Sequence, residues 1–197
     1  MITKRKFFIA SSGELSTERD LAELLIRRKN SSTIDNGLYL DVSRWEEMLL
    51  TYNKTRLQER FSTEVADCDV VLVLFHKRIG KFTKEEFDIA YDSFNNGLNP
   101  RHILVYFKSI IDANSLDDID PELLAIRQSL KRKIHKDEQM YIDYQTLSDF
   151  ENHFSKQLTL LINQMEREIG YINFSDTIIM EEINEMPPTK EEGSKIL

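Results

Sequence analysis

Asp69-Val70-Val71-Leu72-Val73-Leu74-Phe75 is the stretch on which the reading of this 197-residue chain turns. Every residue from Val70 to Phe75 is apolar, with no alternation. Successive side chains of a strand point to opposite faces, so a strand wet on one side alternates polar and apolar residues. One that is apolar throughout is buried on both faces, as in the middle of a parallel sheet with helices on either side.

The flanks agree with that placement. Upstream, Leu57, Phe61, Val65 and Cys68 recur at helical spacing. Downstream, His76 to Phe82 reads as a polar loop, and Thr83 opens a helix with Phe87, Ala90, Tyr91 and Phe94 on one side. Gly97 is the stop signal of that helix. His102 to Phe107 reads as a further strand and Asp112 to Asp120 as an acidic loop. Pro121 suits the first turn of the next helix, which turns Leu123, Ile126 and Leu130 inward. Gln139 to Tyr144 reads as the last strand. Ser148 is the expected cap of a long final helix with Phe150, Phe154, Leu158, Leu161 and Met165 in register.

Toward the N-terminus, Phe7 to Ser11 is an apolar strand ending in Ser-Ser-Gly. Ser16 is placed to cap a helix with Leu21, Leu24 and Leu25 on its apolar face, followed by a polar turn over Asn30 to Gly37. Leu38 to Val42 reads as a second strand, and the segment holding Trp45 and Tyr52 has no clean period. Five strands alternating with five helical segments predict a parallel α/β sheet with right-handed crossovers. The domain is expected to span 1–170. Residues 171–197, acidic and carrying Pro187-Pro188 and Glu191-Glu192-Gly193, read as a linker or tail.

Composition narrows the function classes. Hydrophobic residues at 41% and charged residues at 30% are ordinary for a globular protein. A net charge of −8 argues against nucleic acid as a partner. No apolar run is long enough to span a bilayer, and the start, Met1-Ile2-Thr3-Lys4-Arg5-Lys6, lacks a signal-peptide core, so no membrane partner and a cytoplasmic location are expected. One cysteine, Cys68, and four histidines offer no metal-ligand spacing.

The segment Phe7-Phe8-Ile9-Ala10-Ser11-Ser12-Gly13-Glu14-Leu15-Ser16-Thr17-Glu18-Arg19 resembles the first strand and loop of bacterial TIR-like domains. Arg44-Trp45-Glu46 is similar to the start of their long loop after the second strand. Asp69 to Phe75, then Arg78-Ile79-Gly80, then Thr83-Lys84-Glu85-Glu86-Phe87-Asp88-Ile89-Ala90 resembles their third strand and third helix, and His102 to Phe107 their fourth strand. The resemblance covers roughly residues 4–165. It implies the flavodoxin-like TIR fold, with five parallel strands and helices on both faces.

Many TIR domains of this kind cleave NAD+ between nicotinamide and ribose, giving ADP-ribose or a cyclic form, and bacterial members act in antiphage defence. The resemblance puts the catalytic glutamate at Glu86, followed by Phe87 and Ala90, with Phe82 where the family often has tryptophan. NAD+ is then a substrate, with no resident cofactor. The resemblance also implies activation by self-assembly, with the loop around residues 45–55 of a neighbour completing the site. A sensor domain or partner beyond residue 197 is a further expectation.

The residues suit that chemistry. The nicotinamide leaves neutral, so one carboxylate that steadies an oxocarbenium-like sugar can suffice. Glu86 is expected in the first turn of a helix at the carboxyl end of the most buried strand, where ligands of open α/β sheets bind. Thr83-x-x-Glu86 also reads as a capping box. Ser11 and Ser12 before a helix can offer donors to a phosphate or ribose, or form an ordinary capped turn. Arg78 and Lys77 can meet a pyrophosphate or stay solvated. Trp45 can stack on a base or pack over the sheet end. His76 lies near the same edge with no partner evident in the sequence. Two other functions fit the same pattern. One is a TIR module that only binds other proteins. The other is a nucleoside deoxyribosyltransferase-like enzyme with a nucleophilic glutamate.

Overall fold

The computed structural model describes residues 2–11, 13–44, 63–77, 81–110, 121–137 and 140–185; at 81, 82, 121–123 and 171–185 the backbone alone is described. Five strands form one parallel sheet: β1 (Thr3–Ser11), β2 (Leu38–Ser43), β3 (Val70–Phe75), β4 (His102–Lys108) and β5 (Ile142–Tyr144). Their spatial order is β2-β1-β3-β4-β5, the flavodoxin-like topology. Among the described residues the helices are α1 (Ser16–Thr33), α2 (Lys81–Asn95), α3 (Pro121–Lys136) and α4 (Leu147–Glu185), with helical backbone also at 63–67.

β3 occupies the centre, and none of its six residues is more than 1% exposed. Its alternate side chains enter two cores. Val70, Leu72 and Leu74 join Phe7 and Ile9 of β1 against Ala22 and Ile26 of α1 and Phe150, Phe154 and Leu158 of α4. Val71, Val73 and Phe75 join Phe8 and Ala10 against Phe87 and Ala90 of α2 and Leu130 and Ile134 of α3. Each fully buried Leu, Val or Phe contributes roughly 1.5–3 kcal/mol by leaving water, so this sheet is held chiefly by its two covered faces.

The departures from the sequence reading have local causes. β1 begins at Thr3, four residues before the apolar run, because Thr3 to Phe8 pair with β2 while Phe7 to Ser11 pair with β3. The polar start is accommodated by ion pairs: Arg5 Nη1 donates to Asp69 Oδ1 at 2.9 Å and Lys6 pairs with Asp67. α1 buries Ala22 and Ile26, with Leu21 and Leu25 packed against the same core as expected, while Leu24 is 44% exposed and departs from the predicted face. α1 also runs through the expected polar turn. Asn30 there clamps the edge strand, donating to the Leu40 carbonyl at 2.9 Å and accepting from the Leu40 amide at 2.7 Å.

Helix starts differ too. Leu15, not Ser16, is the N-cap of α1, with no side-chain cap bond. α2 starts at Lys81, so Thr83 is its third residue rather than its cap. The first turn of α4 is closed by Thr146 and Asp149, not Ser148. The Asp149 amide donates to Thr146 Oγ1 at 3.1 Å, and the Thr146 amide donates back to Asp149 Oδ2 at 3.0 Å. Gly97 ends α2 at φ +70°, as its composition predicts. Ile169 is the last buried side chain described on α4, next to the expected domain boundary, while the helical backbone continues to Glu185. Among the described residues no helix is long and apolar enough to cross a membrane.

Candidate functional site at the carboxyl edge of the sheet

The strand order reverses between β1 and β3. The helix after β1 covers one face of the sheet and the helix after β3 covers the other. The loops therefore part at the carboxyl ends of these strands, the place where open α/β sheets take ligands. Ser11 at the end of β1 is in register with Leu74 of β3, and α2 packs across β1, β3 and β4.

Glu86 lies on α2 in this region and is 5% exposed. It is the sixth residue of α2, one turn deeper than the sequence predicts, because the helix starts before Thr83. Thr83 itself is 4% exposed. A capping box with Thr83 as the cap is therefore not formed, and Glu86 is engaged by other interactions. Phe87 and Ala90, the two residues that accompany Glu86 in the expected pattern, are fully buried and anchor α2 to the sheet.

Ser11 is also buried, at 7% exposure, and its Oγ accepts a 2.8 Å hydrogen bond from Arg19 Nη1. The donor-rich end of β1 is thus partly spent within the chain. Phe82 is described in its backbone only, within α2. Ser12, Trp45, Arg78 and the loop 45–55 lie outside the described residues.

The sequence reading missed a polar cluster on the α1 side of the same edge. Glu18, 2% exposed, pairs with Lys108 at the end of β4, Nζ to Oε1 2.6 Å. Glu14, in the short 3-10 turn Gly13–Leu15, comes within 3.6 Å of His76 Nδ1 just after β3. His76 therefore has the partner the sequence did not reveal. Burial pushes its pKa below the ordinary value. Glu14 and a hydrogen bond with the Ser109 backbone pull upward, and Lys108 and Lys77 pull down. Part of this was readable. Glu18, Ala22 and Ile26 are four apart and share the inward face of α1, a spacing that could have flagged Glu18 for burial.

Among the described residues one cleft lies apart from these groups. This small open cleft is lined by Phe87, Tyr91, Phe94, Ile103, Val105, Ile134 and Met140. It lies between α2, β4 and α3, and Glu86 is not among its lining residues. Among the described residues no group of three His, Cys, Asp or Glu side chains could hold a metal ion.

No protein-family model and no curated protein matches the sequence. The fold assignment therefore stands on the five parallel strands and their order.

Proposed function

We propose that the chain is a TIR-type NAD+ glycohydrolase or cyclase with Glu86 as its catalytic carboxylate. The observation that carries this reading is the position of Glu86: buried, in the second turn of the helix that follows the central strand, beside which the strand order reverses. In the reaction the bond from ribose to the nicotinamide nitrogen breaks and its electron pair neutralises the pyridinium. The Glu86 carboxylate offsets the positive charge left on the sugar. Water then adds and releases a proton, giving ADP-ribose, or an adenine nitrogen closes the ring to the cyclic product. At 5% exposure Glu86 is largely covered in the single chain, so turnover requires that assembly uncover it, the loop 45–55 of a neighbour being the proposed contributor. Antiphage defence is the biological role this activity suits, since assembly ties turnover to a signal that gathers the chains.

The burial of Glu86 outside the open cleft also favours a second reading, a non-catalytic module that docks other TIR domains. One experiment separates the two. Concentrated protein is incubated with NAD+ and nicotinamide release is followed by chromatography, with sedimentation of the same samples. The enzyme releases nicotinamide at a rate that rises faster than protein concentration, and Glu86→Gln lowers it by about a hundredfold or more. A Glu86→Gln variant as active as the parent removes the catalytic assignment. Association without nicotinamide release under any crowding condition leaves the docking module.

A further inference from the structure

Arg127 and Lys131 stand one turn apart on α3 and cover the same ring. The Arg127 guanidinium carbon is 4.8 Å from the Phe107 ring centre. Lys131 Nζ is 4.9 Å from that centre and 4.6 Å from the centre of Tyr141. Both cations turn to one oxygen. Asp143 Oδ1 accepts from Lys131 Nζ at 2.5 Å and from Arg127 Nη2 only at 3.5 Å. Arg127 is 7% exposed, and its buried Nη1 has no hydrogen-bond acceptor among the described residues.

Among the described residues these two full positive charges therefore share one carboxylate, itself 53% exposed. A guanidinium cannot escape by losing its proton at neutral pH, and a buried cation is costly unless it is well paired. The surplus is local in a chain of net charge −8. From Arg127 to Lys136 the sequence carries Arg127, Lys131, Arg132, Lys133 and Lys136 with no acid among them. Lys133 is answered from α2 by Asp88 at 3.3 Å, but Arg127 is not answered in that way.

The location suits a ligand. Phe107 and Asp143 are register partners near the carboxyl ends of β4 and β5. They face the α2 and α3 side of the sheet, the side on which α2 carries Glu86. Ring contacts bridge the interval: Phe107 stacks on Phe75 at 5.0 Å, and Phe75 meets Phe87 edge-on at 5.9 Å. A phosphate dianion carries more charge and more acceptor oxygens than one aspartate, and an arginine fork with a nearby lysine matches it.

We propose that Arg127 and Lys131 form a phosphate-binding site at the carboxyl ends of β4 and β5, where Asp143 holds the anion's place until a phosphate-bearing ligand displaces it. The half-exposed Asp143 leaves toward solvent, and the incoming oxygens take over Lys131 Nζ and the Arg127 guanidinium. The site stands apart from the glycohydrolase reading, because it binds phosphate whether or not Glu86 cleaves anything.

Calorimetric titration of the full chain at low salt with inorganic phosphate, pyrophosphate and ADP tests this. The parent shows saturable binding at one site. Asp143→Asn tightens it by about tenfold, and Arg127→Met and Lys131→Met each weaken it by about tenfold or more. ADP binding tighter than pyrophosphate marks a nucleotide site, and equal binding marks recognition of the phosphate group alone; either supports the proposal. Absence of saturable binding of all three probes by both the parent and Asp143→Asn overturns it. So does unchanged binding by Lys131→Met, whose partly exposed side chain can be replaced without opening the core if Arg127→Met fails to fold. Binding of these probes is read without NAD+ turnover, and the Arg127 and Lys131 variants locate it on α3, so a failed NAD+ assay leaves this result standing.

Discussion

Glu18 and Lys108 meet at 2.6 Å across the carboxyl edge of the sheet, the carboxylate 2% exposed and the ammonium 27%. The pair ties the first turn of α1 to the last residue of β4, two segments ninety positions apart. Removing one member of such a pair leaves the other charge buried and unanswered, which costs roughly 3–5 kcal/mol, whereas removing both is far milder. Lys108→Met is therefore expected to lose about 3 kcal/mol of stability in urea unfolding, with Glu18→Gln added to it restoring most of the loss. A double variant no more stable than Lys108→Met would show that the site depends on the lysine for some other reason.

Stability is expected to fall with acid through two histidines. Burial is the main cause that lowers the pKa of both His76 and His102 below the ordinary histidine value. His76 faces Glu14, Lys77 and Lys108; His102 faces Arg5, Asp69, Arg101 and Glu168. A histidine that resists its proton when folded takes it more readily when unfolded, so between the two pKa values the unfolded state binds more protons. Stability is then fully present above the unfolded value of roughly 6.5 and declines below it until the folded pKa is passed. Urea midpoints measured from pH 8 to pH 5 would follow this slope, and a His76→Gln/His102→Gln variant would flatten it. A slope unchanged in that variant assigns the acid loss elsewhere.

Cys68 should be inert in the folded chain. It is fully buried, and burial, reinforced by Glu64, pushes its thiol up to about 12. The thiolate is the reactive form, so a thiol-specific chromogenic reagent at pH 8 should label Cys68 only as fast as the chain opens. Labelling as rapid in native buffer as in urea would contradict both the burial and the shift.

Two ends of helices offer local tests. Gly97 holds φ +70°, and a methyl group added there would meet no atom within 4 Å. Gly97→Ala then costs only backbone strain, about 1 kcal/mol. Thr146→Ala removes the hydroxyl that caps α4 and should cost about 1 kcal/mol as well. Thermal unfolding of each variant beside the parent would read these losses directly; a stabilised Gly97→Ala would mean that the turn relaxes to an ordinary helix end.

Several features of this fold were legible before any coordinates. Val70 to Phe75 announced a central strand because burial on both faces leaves no position for a polar side chain. The faces of α2 and α4 were read correctly through Phe87, Ala90 and Tyr91 and through Phe150, Phe154 and Leu158. Leu24 was misplaced because α1 offers leucines on more than one side, and the choice among them is made by what the helix meets. The placement of Glu86 on a helix after β3 followed from spacing, but its depth depended on where α2 begins. The partners of Glu18, His76 and Arg127 could not be read at all.

The amino-acid order alone determined where the buried strands and amphipathic helices lie, though not their ends, and that the sheet is parallel, since periodicity and apolar runs are properties of neighbouring residues. Only the tertiary structure decided the strand order, which leucines of α1 are covered and which charges face one another at the carboxyl edge. Such pairings join residues far apart along the chain, and their energy exists only after the sheet has brought those residues within a few ångströms.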